Sequence, residues 1–301
     1  MPGAQGGILL AVKQFYWAIT SSSLQMKLLG IASPFLNYFW PLDAVGTALL
    51  MVALGVWIAQ HRLQPAPGPL LAAVAIIAVY PFVPLVLMGA SWIDRRLPIF
   101  VAFLLFAGMS PQSLPRRQAL LWGTAFSAIF LVRVAAVADV WSGHNPDLAD
   151  LRQVISAVPA GSRVLVVRSD DSADPDFLAG EPPSRRFMLN IDAMTHLPAL
   201  LVIERKAFIP YLFSDPRKQP LRVLPPFDRL AIDDGAPPYA SALAAPAEHD
   251  LQFAPYLANW RQDFDWVLLL RPHKVPGAER LMPGILGLVA MRDIAALYRI
   301  H

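Results

Sequence analysis

The sequence predicts an α-helical membrane protein of about four transmembrane helices, opened by an N-terminal interfacial helix and followed by a small soluble α/β domain. Three observations predict it. Four apolar stretches precede Trp141, and a helix needs roughly 20 apolar residues to cross about 30 Å of hydrocarbon. The 160 residues after Trp141 are instead Pro-rich and charged. The chain of 301 residues as a whole is 55% hydrophobic and only 16% charged, with mean hydropathy +0.45, where soluble domains are about a quarter charged. The expected division is residues 1–42 as an interfacial aromatic segment, 43–141 as a four-helix transmembrane region and 142–301 as the α/β domain.

Residues 8–31 are apolar but interrupted by Lys13, Gln14, Ser21–Ser23, Gln25 and Lys27, with aromatic clusters at Phe15–Trp17 and Phe35–Trp40. Aromatic rings with a polar edge prefer the headgroup zone, so this segment reads as a helix lying on the membrane. It does not read as a signal peptide, because its apolar core carries a lysine and no small-residue cleavage site follows. The expected spans are Asp43–Gln60, charged only at its start; Leu70–Ala90, uncharged for 21 residues; Leu97–Leu114, uncharged for 18; and Ala119–Trp141, apolar except for Arg133 and Asp139. Pro81 and Pro84 predict a kink in the second, tolerated where neighbouring helices satisfy the freed carbonyls. With four spans, Arg62, Arg116 and Arg117 share one side against Lys13, Lys27, Arg95 and Arg96 on the other. Three against four leaves orientation undecided.

In the second half, Asn145-Pro146 is a helix-start signal. Leu148, Leu151, Val154, Ile155 and Val158 then recur at helical spacing. Pro159-Ala-Gly161 ends that helix, and Arg163–Val167 reads as a buried strand. Ser169–Ser184 is a polar loop. Leu197–Lys206 and Tyr256–Phe264 read as helices, Leu221–Leu224 and Leu230–Ile232 as short strands, and Trp266–Leu270 as a second buried strand. Leu286–Met291 and Ala295–Ile300 read as a closing hairpin. Pro225–Glu248 reads as an irregular surface loop. Buried apolar strands flanked by helices predict a mainly parallel or mixed core.

Composition narrows the chemistry. A net charge of +3 with scattered Lys and Arg gives no nucleic-acid footprint. With no cysteine there are no disulfides, Cys metal sites or thiol catalysis. The motifs GxGxxG, GxxxxGKS/T, GxSxG and HExxH are missing, and no cofactor or metal is expected. Arg133 is the leading candidate residue. A charge in hydrocarbon is costly and usually faces protein interior or a wet cavity, which allows an anion site for a lipid phosphate, shared with Arg95 or Arg96. The plainer alternative is an arginine that snorkels to the interface or pairs with a neighbouring helix. Counting from Asp170, with Asp171, Asp174 and Asp176 following, Glu181 falls at the twelfth position of an EF-hand-like loop, but Pro175 stands where glycine is needed. His144, Asp147 and Asp150 lie within reach of a common metal, although acids at a helix start are explained by the helix dipole. Trp260 and Trp266 offer either a sugar-stacking cleft or core packing.

The run Ser91-Trp-Ile-Asp-Arg-Arg-Leu-Pro-Ile-Phe-Val-Ala-Phe103 resembles a stretch of bacterial multi-pass glycosyltransferases of the GT-C type. In those proteins an acidic residue and an arginine precede a Pro-containing late transmembrane helix. Pro159–Val167, Leu201–Phe213, Tyr256–Leu270 and Ala296–Ile300 resemble the small extracytoplasmic domain ending related membrane proteins. The resemblance implies a bacterial inner-membrane enzyme that transfers a sugar from a polyprenyl-phosphate carrier on the outer side. It further implies Arg95 and Arg96 near the carrier phosphate and the C-terminal domain outside. The family's acidic catalytic motif, in its first outer loop, has no counterpart here. The expectation is therefore a C-terminal portion that is not catalytic alone and that works with a separate N-terminal half or other membrane subunit. The competing class is a non-enzymatic membrane-anchored module whose α/β domain binds a ligand or partner.

Overall fold

Proline and chain length decide which apolar stretches become spans. The computed structural model describes residues 27, 30–31, 40–83, 86–87, 90–91, 93–170, 186–187, 191–192, 194–212, 214, 222–232 and 235–301. It divides into two units, Met1–Val137 and Ala138–His301. In the first, α1 (Trp40–Ala59) is 20 residues long. It leads through β1 (Leu63–Pro65) into α2 (Pro67–Val79), only 13 residues long and started by its own prolines. Pro81 lies in a short 3-10 turn at Tyr80–Phe82 that ends the helix, because proline supplies no N–H to the ladder. The two-residue strands β2 (Val86–Leu87) and β3 (Ala90–Ser91) pair antiparallel and return the chain into α3 (Ile93–Ala107). Then β4 (Met109–Pro111) pairs antiparallel with β1, and α4 (Arg116–Ser142) follows with 27 residues. Gly108 is needed where α3 meets α2, since a Cβ there would lie 2.8 Å from the Leu70 side chain.

The expectation of four spans is corrected. Among the described residues two helices are long and apolar enough to cross a membrane, Pro41–Ala59 and one within Arg116–Ile155. At 1.5 Å per residue, α2 covers about 20 Å and α3 about 22 Å, short of the hydrocarbon core. The first span also begins earlier than expected, since Trp40 already belongs to α1. The interfacial segment lies outside the described residues except for Lys27, Gly30, Ile31 and Trp40–Leu42.

The two long helices run antiparallel. Arg133 Nη2 lies 3.1 Å from Asp43 Oδ1. A Cβ on Gly46 would sit 3.4 Å from Ile129, and Trp57 meets Trp122 edge-on at 6.0 Å between ring centroids. Large apolar side chains such as Leu120, Leu121, Phe130 and Leu131 on α4 stay exposed, as expected of a surface solvated by something other than water.

The second unit is built on a four-stranded mixed sheet in the order β5 (Val164–Arg168), β8 (Trp266–Leu270), β10 (Ala295–Ile300), β9 (Leu286–Met291). Strands β5 and β8 are parallel, and the other pairs are antiparallel. β6 (Arg186–Phe187) and β7 (Ile191–Asp192) form a separate two-residue ladder. All five β8 residues are buried, so helices and turns must cover both faces. On one face, Leu151, Val154 and Ile155 of α5 (His144–Ile155) and Leu201 of α6 (Leu200–Arg205) pack on Val164, Val166, Leu268 and Leu297. On the other, Leu165, Val167, Val267 and Leu269 meet Leu243, Tyr256, Leu257 and Trp260. Each fully buried aliphatic side chain contributes about 1.5–3 kcal/mol.

Three local expectations are corrected. Residues 222–224 form no strand, and Asp228–Leu230 is a 3-10 turn, in a stretch where Pro225 and Pro226 cannot donate to a ladder. The segment read as a surface loop buries Ala240, Ala242 and Leu243, because Trp260 Nε1 donates to the Leu243 carbonyl at 3.1 Å. α5 starts at His144 after Gly143, with no side-chain cap from Asn145. α7 (Glu248–Phe253) and α8 (Trp260–Asp263) complete the second face.

The amino ends of the parallel strands are clamped by charge. Asp265 accepts the Arg163 backbone N–H at 2.8 Å and its Nη2 at 2.8 Å. Partial burial pushes the Asp265 carboxyl up, but the Arg163 hydrogen bonds and charge outweigh it and hold the group below its ordinary value. The unfolded chain then binds the proton more readily. The clamp's stabilisation is complete above the ordinary carboxylate pKa and is lost as pH falls through the lower folded value. Asp265→Asn should cost stability at neutral pH and flatten the acid limb. Melting temperatures of the full chain in detergent, taken from about pH 6 to pH 3, check this: wild type and variant should converge as pH falls, and parallel curves would show that the clamp does not titrate.

Candidate functional site

Parallel strands deliver their carboxyl ends to one edge of a sheet, where open α/β sheets place their ligands. Here β5 ends in Arg168 and Arg271 directly follows the last residue of β8, closing the runs Val164-Leu-Val-Val-Arg168 and Val267-Leu-Leu-Leu-Arg271. Arg168 is fixed by the passing segment 237–239. Its backbone N–H donates to Pro238 O at 2.9 Å, its Nε to Pro237 O at 3.2 Å and its Nη2 to the Tyr239 hydroxyl at 2.9 Å. The guanidinium also lies over the Tyr239 ring, 4.4 Å from its centroid. The Ser169 N–H donates to Leu270 O at 3.3 Å, stitching the two strand ends together. Ser169 Oγ is buried and has no hydrogen-bond partner among the described residues. Asp170 accepts from Ser241 Oγ at 3.3 Å.

Arg271 sits beside them with φ +52° and 1% exposure. A left-handed arginine costs about 1–2 kcal/mol, and such strain concentrates where surrounding structure over-determines a site. Its N–H donates to Ile294 O at 2.8 Å. The chain then turns through Pro272–Lys274, and His273 Nδ1 lies 3.0 Å from Asp293 O and 3.6 Å from Asp293 Oδ1. Among the described residues, Arg168, Arg271 and Lys274 share this end with Asp170 and Asp293. Ser169 Oγ has no base within hydrogen-bond reach among the described residues, so it offers a fixed hydrogen-bonding group, not an activated nucleophile. The phenols of Tyr211 and Tyr256, pushed up by burial, add no charge to the domain.

The residues singled out from sequence lie on several elements. Arg133 is engaged by Asp43, whose side chain is 2% exposed against 40% for the arginine. Arg96 is exposed on α3, a different helix from Arg133, and Arg95 belongs to the same turn. Arg133 and Asp43 therefore realise the alternative of an arginine paired with a neighbouring helix. Asp171, Asp174, Pro175, Asp176 and Glu181 lie outside the described residues. His144 packs against Trp141, with ring centroids 6.3 Å apart, and Asp147 is buried. No group of three metal-ligating side chains forms among the described residues. The sugar-stacking cleft is corrected: Trp260 and Trp266 are 3% and 6% exposed, and Arg299 covers the Trp266 ring at 4.8 Å. The chain matches no protein-family model, no curated protein and no solved structure. The resemblance to lipid-carrier glycosyltransferases thus gains no supporting match.

Sequence reasoning overlooked Arg168, Ser169 and Arg271. Their signal was the paired run of four apolar residues closed by arginine, but β5 and β8 are nearly a hundred residues apart, and their adjacency appears only with the sheet.

The ion pair in the membrane unit makes a direct prediction. Removing Arg133 takes away one partner of the almost wholly buried Asp43 and leaves its charge less compensated. Arg133→Leu should therefore lower the melting temperature and monodisperse yield of the full chain in detergent. Asp43→Asn combined with Arg133→Leu should recover much of that loss. Additive losses in the double-mutant cycle would show the two groups to be energetically independent.

Proposed function

We propose that the protein is a membrane-associated, non-enzymatic binding module whose α/β unit takes a small anionic ligand at the carboxyl ends of β5 and β8. The observation that carries the reading is the buried Ser169 hydroxyl, without a hydrogen-bond partner among the described residues, at the strand ends that also bear Arg168 and Arg271. A buried hydroxyl left without a partner costs about 1–3 kcal/mol, and an incoming oxyanion would relieve that cost by accepting its hydrogen bond. The split-enzyme reading rests on resemblance alone, and no feature of the structure favours it.

The membrane part of the proposal is a multi-pass protein of the bacterial inner membrane in which α1 and α4 both cross. Two spans place residues 60–115 on one side and the second unit on the other. Arg62, Arg95, Arg96, Arg116 and Arg117 then flank or lie within the connection, against Lys13, Lys27 and Arg152 near the opposite ends. Five against three puts the connection inside by the positive-inside rule and the α/β unit outside.

Two measurements test these readings. Inorganic phosphate, compared with chloride at equal ionic strength, should raise the melting temperature of the full chain in detergent, as any ligand selective for the folded state does. Ser169→Ala should start more stable, because it deletes the orphaned hydroxyl, and should respond less to phosphate. No phosphate shift in wild type, or an equal shift in the variant, overturns the anion reading. The chain has no cysteine, so Glu279→Cys gives a single exposed thiol. A membrane-impermeant maleimide should label it in spheroplasts without permeabilisation. Labelling that requires permeabilisation would place the α/β unit inside.

A further inference from the structure

A cavity of about 250 Å³ lies in the first unit between α2 and α3. Its walls include Ile77 near the end of α2, Tyr80 of the turn that follows, Pro98, Ala102 and Leu105 from one face of α3, and Ile31. The α3 residues recur at helical spacing, so the cavity runs about 10 Å along that helix from Pro98 to Leu105. Among the lining side chains only Tyr80 carries a polar atom. That hydroxyl donates to the Lys27 carbonyl at 2.8 Å, so it is already engaged. Gly30 stands where a Cβ would come within 2.6 Å of the same hydroxyl, so a glycine lets this segment approach Tyr80 closely enough to bring Ile31 over the opening.

We propose that this cavity holds one alkyl chain of a membrane phospholipid. Apolar cavities of this kind stay dry and accept apolar guests, and water would find no free partner in these walls. The shape is elongated along a helix, which suits a chain better than a compact solute. The source follows from the surroundings. Leu71, Val74, Phe100 and Phe103 on the outer faces of the same two helices are more than half exposed. A surface of that kind belongs in contact with lipid, where alkyl chains are the abundant apolar molecule.

The test uses the full chain reconstituted into phosphatidylcholine vesicles containing a trace of phosphatidylcholine with a diazirine at one acyl-chain end. After irradiation the labelled residues are mapped. Label is expected on Ala102 and Leu105. Ala102→Phe, which fills the cavity, should cut the label at Leu105 several-fold while leaving the exposed α4 residues Leu120 and Phe130 labelled as before. If Ala102→Phe does not reconstitute, Ala102→Ile makes the same comparison with less added volume. Label confined to the outward Phe100 and Phe103, or label at Leu105 that neither substitution lowers, overturns the proposal. So does a wild-type Leu105 without label, the result expected if another segment of this chain fills the cavity.

Discussion

The pairing of β5 with β8 is the constraint on which the α/β unit depends. β8 has no exposed residue, so it is stable only with a covering layer on each face, and each layer is drawn from a different part of the chain. One face is covered by α5, which precedes β5, and by α6, which lies early in the long excursion between β5 and β8. The turns and short helices late in that excursion, 240–264, cover the other. A parallel pair cannot be joined by a tight turn, so the excursion is a topological necessity. Its apolar residues are buried even where their sequence is rich in alanine and proline. The strand ends then acquire opposite characters. At the amino ends, Asp265 ties Arg163 into the ladder and closes it. At the carboxyl ends, charged side chains share the edge with a buried hydroxyl that has no hydrogen-bond partner among the described residues.

The membrane unit depends on a different interaction. Asp43 is almost wholly buried and Arg133 partly so, and each offsets part of the cost of the other's charge in a low-dielectric setting. The pair also fixes register. Asp43 lies in the first turn of α1, so Arg133 is held level with an end of that helix and not at its middle. A charge that reads from sequence as deep in hydrocarbon is thereby placed near the edge of the antiparallel pair.

Local pattern was a good guide where one period dominates. The runs Trp266–Leu270, Leu286–Met291 and Ala295–Ile300 are strands at those bounds. The helical spacing of Leu151, Val154 and Ile155 marks the residues that α5 buries. Sequence pattern failed where tertiary context overrides it. The apolar runs 70–90 and 97–114 have enough length for spans, but the first ends at its prolines and the second gives way to β4, whose partner β1 is over forty residues earlier. Trp260 and Trp266 are amphipathic side chains that sequence cannot assign to core or cleft. The buried contacts of their rings decide it. The site at the strand ends was illegible for the same reason: its residues come from 168–170, 239–241 and 271–274, and only the sheet order brings them to one edge.

The correction from four spans to two also changes what the charges mean. With α2 and α3 as spans, Arg95 and Arg96 would oppose Arg62, Arg116 and Arg117, and the count cancels. In the proposed topology, with α2 and α3 as short helices inside a single connection, all five arginines would count together, because the rule counts charges in short loops near the span ends. The same connection carries the apolar outer faces of α2 and α3 and the cavity between them. Arginine at its ends and bare apolar surface along its helices are the two features by which a segment holds to a bilayer without crossing it: the cations meet the headgroups and the side chains enter the acyl region. The proposed two-span topology thus treats residues 60–115 as one connection, and the short lengths of α2 and α3 with their apolar outer faces support that reading.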